Sequence, residues 1–394
     1  MPDYGTPDIY RSPRYSPLVA TSLSEAAMSS MWDDWDLNGL LLDIPHKFAA
    51  KLGAKHGIFC STGTAGLYAS LMSLPLKPGD EVIVPAMTFI RAVTPLLHLG
   101  LIPVLADIDP NTGNLAPEAL KNLIGPKTRA VVVVHMWGIP ADMSGIIQEC
   151  KKHNIYLIED FSHAHFSKHE QGFVGSFGHV AFASLQRKKT LSVGEGGLIV
   201  TSDSTIYERL QQITSPGSFK GTPNYNEFSG FGLNLRMSPF SAVVAKQLLI
   251  ESDKIVQDRA AQSSAFDKIL AGLPEHISAP AIPTYAKFVS PYGYKPVVTS
   301  RVTREHLVKA NSFGLWRFGS FSYGHILQDV FWKKDSNYYP FSQMIQPKAS
   351  EKYPGYEKYI SGRVSLSVPT VEASYWSESM IDKWSQTLKQ AFGA

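Results

Sequence analysis

The chain has 394 residues, 44% of them hydrophobic and 18% charged, with a net charge of +3 at pH 7. That composition fits a folded globular chain, large enough for a sizeable core and two domains, and excludes a disordered one. So small a charge, with no dense Lys/Arg run, argues against nucleic acid, and no stretch reaches the ~18 uninterrupted apolar residues of a membrane span.

Residues 1–20 are rich in Pro, Tyr and Ser and read as irregular, with no apolar core of a secretory signal. "IPHKFAAKL" (Ile44–Leu52) reads as a short amphipathic helix. An alternation follows: strand-like "GIFCST" and helical "TAGLYASLMSL", "DEVIVPAM" and "TFIRAVTPLLHLG", "IPVLADID" and "LAPEALKNLIG", "AVVVVHM" and "ADMSGIIQECKKHN". "IYLIED", "HVAFASL" and "GLIVTSD" add three more strands. Short Val/Ile-rich runs between helical patterns predict an α/β domain with a mostly parallel sheet. Residues 214–232 read as a long Gly/Pro/Asn-rich loop, and a helix from about Pro239 to Ser252 leads to a second, smaller α/β domain. The expected division is 1–250 and 251–394. Cys60 and Cys150 form no disulfide framework or zinc cluster. A reduced, cytoplasmic protein is the expectation.

Parallel sheets bind ligands at the carboxyl ends of their strands. "CSTGTAGL" follows a strand and opens a helix, where backbone N–H groups and Gly63 would suit a phosphate and Thr64 would add a hydroxyl. An ordinary cap by Thr62 or Thr64 explains the same residues. Asp160 ends the strand "IYLIED" and could meet a protonated ring nitrogen; a structural ion pair or a helix cap is the plainer reading. Phe89, just past "DEVIVPAMT", could stack on a planar ligand or simply be core. His163 and His165 lack a third ligand at useful spacing, so no metal is expected.

Lys189 lies five residues after Ser184, before a glycine-rich turn, "GEGG". A lysine with a lowered pKa attacks carbonyls and forms a Schiff base. Pyridoxal phosphate uses all these features together: a lysine, a carboxylate for its ring nitrogen, an aromatic face and a helix N-terminus.

The landmarks "STGTAGL", "DEVIVPAMTF", "VLADIDPNTGNL", "HMWGIPADM", "IEDFSHAH", "SLQRKKTLSVGEGG", "LNLRMSPFSA" and "YPGYEKYISGRVSLSVP" occur in one order over about residues 40–370. In them the chain resembles the DegT/StrS family of pyridoxal-phosphate aminotransferases, which act on keto-sugars and cyclitols. The resemblance implies the type I aminotransferase fold and a homodimer with shared active sites. It makes Lys189 the Schiff-base lysine and Asp160 the partner of the pyridine nitrogen. Phe89 would stack on the ring and His163 would sit beside it. Ser184 would contact the phosphate, with Gly63, Thr64 and Ala65. Asn234 would reach the phosphate of the neighbouring subunit. Glutamate or glutamine is the implied amino donor. A same-fold enzyme of carbon–carbon bond formation, elimination or aromatisation is the alternative, and a non-catalytic cofactor-binding sensor a third.

Lys188 competes with Lys189, but the spacing to Ser184 and "GEGG" favours Lys189. "LQRKK" departs from the commoner "FHPTK" pattern, and Gln186 resembles the cyclitol and aminohydroxybenzoate branches. Arg91 and Arg187 are unusual for the family. With Lys188 they could meet an anionic substrate or simply face solvent. "FGSFSYGHILQDVFWKK" (residues 318–334) also departs from the family segment, which speaks against an ordinary nucleotide-sugar acceptor.

Overall fold

The computed structural model describes residues 15–29, 39–217, 230–273, 275–298, 316–317, 352–361, 365–366 and 378–392. Residues 318–334 and most of the loop expected at 214–232 lie outside that set.

Seven strands form the central sheet: β1 (His56–Cys60), β2 (Glu81–Pro85), β3 (Ile102–Ala106), β4 (Thr128–Val134), β5 (Tyr156–Asp160), β8 (Val180–Ser184) and β9 (Gly197–Thr201); β6 (Lys168–His169) and β7 (Gly172–Phe173) pair with each other outside it. Their order is β1-β9-β8-β5-β4-β2-β3. The β2–β3, β2–β4, β4–β5 and β5–β8 pairs are parallel. Only β9 runs against its neighbours. The other six strands therefore end on the same edge.

The sheet is buried on both faces, as a parallel sheet must be. Alternate residues of one strand feed opposite layers. Val82 and Val84 pack with Leu67 and Leu71 of α3 (Gly63–Ser73), Leu96 of α4 (Thr94–His98) and Leu210 of α7 (Ser204–Thr214). Ile83 packs on the other side with Leu120 of α5 (Pro117–Leu123) and Ile146 of α6 (Met143–His153). Further along that side, Ala181 and Val200 meet α2 (Asp43–Leu52) and α8 (Pro239–Leu270).

Local chemistry sets the helix ends. Asp142 and Asp203 cap α6 and α7 by accepting from the N–H groups of Gly145 (3.1 Å) and Ile206 (3.0 Å). Asn154 takes the left-handed conformation that ends α6.

Two expectations need correction. The N-terminal stretch read as irregular to residue 20 holds a helix, α1 (Pro17–Met28), which begins at a proline, a residue suited to a first turn. It packs on α8, so its partner lies far along the chain. Helix α8 runs 32 residues, well past the expected end near Ser252 and straight through residue 250. A later helix, Pro354–Ser361, returns to the sheet. Asp107, just after β3, accepts from the N–H groups of Gly355 (2.8 Å) and Tyr356 (3.0 Å) at its start.

Candidate active site

The segments that follow β1, β2, β4, β5 and β8 border one cleft of about 440 Å³. At the β1 end, Thr62 caps α3, its hydroxyl accepting from the Ala65 N–H at 3.0 Å. That N–H is therefore engaged within the cap, and Ala65 is not among the cleft-lining residues, whereas Gly63 and Thr64 are. Gly63 has a packing reason to be glycine. A Cβ there would lie 2.6 Å from Ser184 Cβ and 3.0 Å from its Cα. The bare helix start thus lies directly against the end of β8.

The two acids that end β5 take opposite faces, as consecutive strand residues do. Glu159 is fully buried and structural. One oxygen accepts from the N–H groups of Phe177 (2.7 Å) and Gly178 (2.6 Å), the other from Gly175 (2.8 Å) and His135 Nε2 (3.0 Å). Asp160 instead faces the cleft, with one oxygen accepting from the Ser162 N–H at 2.9 Å. Burial pushes its carboxyl above the usual range, and the Ser162 hydrogen bonds, Lys189 and His135 pull it back. Ser162 Oγ also accepts from the Ser184 N–H at 2.8 Å, so one serine ties the ends of β5 and β8 together.

The adjacent lysines separate cleanly. Lys189 is 9% exposed and lines the cleft, with its N–H donating to the Gln186 carbonyl at 2.8 Å. Burial pushes its pKa down to about 8, against the opposing pull of Asp160. Lys188 is exposed on the same wall, and its N–H donates to Gln186 Oε1 at 2.9 Å. Half-buried Gln186 thereby braces the turn that splits the two amines.

Phe89 lines the cleft with a ring 48% exposed, which makes it a poor core residue. Arg91 Cζ lies 5.7 Å from that ring's centre. Arg91 and Arg187 are both exposed, and both stand on the cleft wall. His163 lines the cleft and is buried, which holds its pKa well below the ordinary value and keeps it neutral. His165 is likewise neutral, pushed down to about 3 by burial, and its Nδ1 accepts from the Leu191 N–H at 3.2 Å. Among the described residues no group of three His, Cys, Asp or Glu side chains could hold a metal.

Asn234 stands apart. It is exposed, holds a left-handed φ of 54°, accepts from Arg236 Nε at 2.8 Å, and is not among the cleft-lining residues of its own chain. Sequence reading missed Ser162, Thr88, Glu195 and Tyr292 on the cleft wall. Thr88, Ser162 and Glu195 sit inside the quoted landmarks; Tyr292, 103 positions beyond Lys189, carries no local signal.

Residues 29–313 match the DegT/DnrJ/EryC1/StrS aminotransferase family. The chain belongs to that family. It is 36% identical over 219 residues to a Micromonospora echinospora protein assigned as an L-glutamine:3-amino-2,3-dideoxy-scyllo-inosose aminotransferase, 55% of this chain and 52% of that one. The chain spans about half the length of the three inosose aminotransferases it matches. It is 28% identical to GDP-perosamine synthase of Escherichia coli O157:H7, over 66% of this chain and 72% of that one. An aminotransferase from Psychrobacter cryohalolentis superposes with a TM-score of 0.84 at 24% identity, covering 97% of this chain and 98% of the other. 3-Amino-5-hydroxybenzoic acid synthase does so at 0.80, also 24% identical, covering 97% of each chain. The fold is thus the α/β fold of the family's aminotransferases, the type I fold expected from the sequence.

Proposed function

We propose that this DegT/StrS-family chain is a pyridoxal 5'-phosphate-dependent aminotransferase, moving an amino group from glutamate or glutamine to a keto-sugar, keto-cyclitol or related natural-product intermediate. The observation that carries the reading is the buried Lys189 amine, which shares a cleft wall with Asp160 at the strand ends. The cleft also suits the cofactor elsewhere: a glycine helix start beside Ser184 for a phosphate, and Phe89 for a ring face. Two solved relatives of the same fold are described with pyridoxamine phosphate and with hydrated pyridoxal phosphate bound. When bound, the cofactor supplies a sink for the electron pair left as a proton departs the donor's α-carbon.

The chain's own residues have separable tasks. Lys189, with a pKa near 8, offers a neutral amine as nucleophile and then as proton carrier. Asp160 provides fixed negative charge for a protonated ring nitrogen. Neutral His163 gives a side chain beside the ring without adding a competing charge. The test is the donor half-reaction: glutamine or glutamate should convert the bound cofactor cleanly to its amine form. A stable long-wavelength species without that conversion points instead to the same-fold elimination, carbon–carbon bond or aromatisation chemistry.

The acceptor, on this reading, carries an anion. Among the described residues, Arg91, Arg187 and Lys188 border the cleft together with two acids, Asp160 and Glu195. Arg91→Ala and Arg187→Ala should each weaken acceptor binding by about 1–3 kcal/mol, the range for hydrogen bonds to charged groups. The donor half-reaction should stay intact, and acceptor KM at wild-type level in both variants would exclude this role.

A homodimer with shared active sites completes the reading. Phe231 (97% exposed), Leu233 and Phe240 leave an apolar surface beside Asn234, which is not among the lining residues of its own cleft. Sedimentation should give about twice the 43.4 kDa chain mass; an active monomer would be incompatible. The proposed units 1–250 and 251–394 share α8, so limited proteolysis should spare residue 250. We also propose a cytoplasmic location, in keeping with two buried free thiols; cell fractionation tests it. Among the described residues no helix is long and apolar enough to cross a membrane.

A further inference from the structure

A strap of chain after α8 brings an aromatic ring into the cleft from 103 positions beyond Lys189. The Ser290 N–H donates to Ser167 Oγ at 2.9 Å, and that hydroxyl donates to the Gly138 carbonyl at 2.7 Å. The Tyr292 N–H donates to the Trp137 carbonyl at 3.1 Å. A Cβ on Gly138, whose φ is +94°, would lie 2.2 Å from the Ser290 carbonyl oxygen, so the strap is laid directly on this glycine. Trp137 beside it holds a φ of 59°, a left-handed conformation rare outside glycine that persists only where surroundings over-determine it.

This bracing fixes the Tyr292 ring. It is 7% exposed and stacks on His163, with ring centres 3.9 Å apart and planes at 24°. Trp137 stacks on His163 as well, at 5.5 Å. Lys189 Nζ lies 4.3 Å from the centre of the Tyr292 ring. One side chain therefore touches both the reactive amine and the imidazole proposed to flank the cofactor. An aromatic face attracts an ammonium and holds it at a defined distance, and a flat stack fixes a ring's tilt.

We propose that Tyr292 is a positioning residue of the aminotransfer site, its ring face holding the Lys189 amine and the His163 imidazole in their working places. The proposal rests on the reading of Lys189 given above. The ring, not the hydroxyl, does this, which makes two substitutions informative. Tyr292→Phe keeps the face. Tyr292→Leu keeps an apolar cover of smaller volume and loses the face.

The experiment begins with wild-type holoenzyme, reduced with borohydride and mapped to locate the cofactor. Donor half-reaction rates with glutamine or glutamate are then measured on all three proteins. Separately, each chain is stripped of cofactor and pulsed with acetic anhydride across pH, with acetylation of Lys189 read by mass spectrometry. Tyr292→Leu should slow the half-reaction at least tenfold through kcat, with donor KM within about threefold. Its Lys189 should nonetheless label about threefold faster at pH 7, because losing the ring's attraction for the ammonium lowers the amine's titration midpoint by about half a unit. Tyr292→Phe should recover the half-reaction to within about threefold of wild type. The pH profile of labelling separates this from a loss of folding: an unfolded chain would return Lys189 toward the ordinary lysine value, above wild type, whereas loss of the ring alone moves the midpoint below it. Circular dichroism and melting check folding, and Tyr292→Met replaces the leucine variant if that chain does not fold. A half-reaction in Tyr292→Leu within threefold of wild type, or an equal loss in Tyr292→Phe, overturns this proposal alone. Cofactor mapped away from Lys189 in the wild type overturns the reading beneath it as well.

Discussion

Lys189→Ala is expected to lose transamination by on the order of 10⁴-fold or more, and with it the near-visible absorbance of the lysine-bound cofactor. Two functions go at once: the nucleophile that holds the cofactor and the base that moves the proton, the latter alone contributing roughly 10²–10⁴-fold. Lys188→Ala should keep the absorbance. The two amines are adjacent in sequence but not in environment. Lys189 is buried with its pKa down to about 8, so a useful fraction is neutral near physiological pH. Lys188 is exposed. Absorbance spectra of both variants, beside a turnover assay, check the pair.

Asp160→Asn is the second large effect, on the order of 10²–10³-fold in rate, the cost of removing one preorganised electrostatic partner. It carries a second signature with a definite sign. Asp160 raises the Lys189 pKa, in opposition to burial. Without that charge the lysine should titrate below about 8, so the slower variant should keep its residual rate to lower pH than the wild type does. Loss of rate with an unmoved pH profile would mean that Asp160 acts only through packing. The isosteric amide can still accept from the Ser162 N–H, so the tie between β5 and β8 has a means to survive.

Much of this site was legible because a parallel sheet turns sequence into geometry. Strand parity alone separates Glu159 from Asp160: one residue apart, one faces the structural side and the other the cleft. Gly63 was expected to allow close approach of a phosphate; the neighbour the structure shows against it is Ser184. Ala65 was expected beside the phosphate, and its N–H donates to the Thr62 hydroxyl in the helix cap. The choice between Lys188 and Lys189 lay beyond periodicity, because the residues sit in a turn; only their resemblance-derived spacing favoured the second. Helices α1 and α8 were missed or cut short because they stabilise each other across more than two hundred residues. Tyr292 was missed for the same reason, and Trp137, although inside the landmark "HMWGIPADM", was given no role. Their stack with His163 is assembled from three segments, and none of the three has a pattern that announces the others.

Borohydride reduction of the holoenzyme, followed by digestion and mass mapping, reads the point of attachment directly. A single reduced cofactor adduct on Lys189 is expected. An adduct on Lys188, or on a lysine outside the cleft, would contradict that assignment.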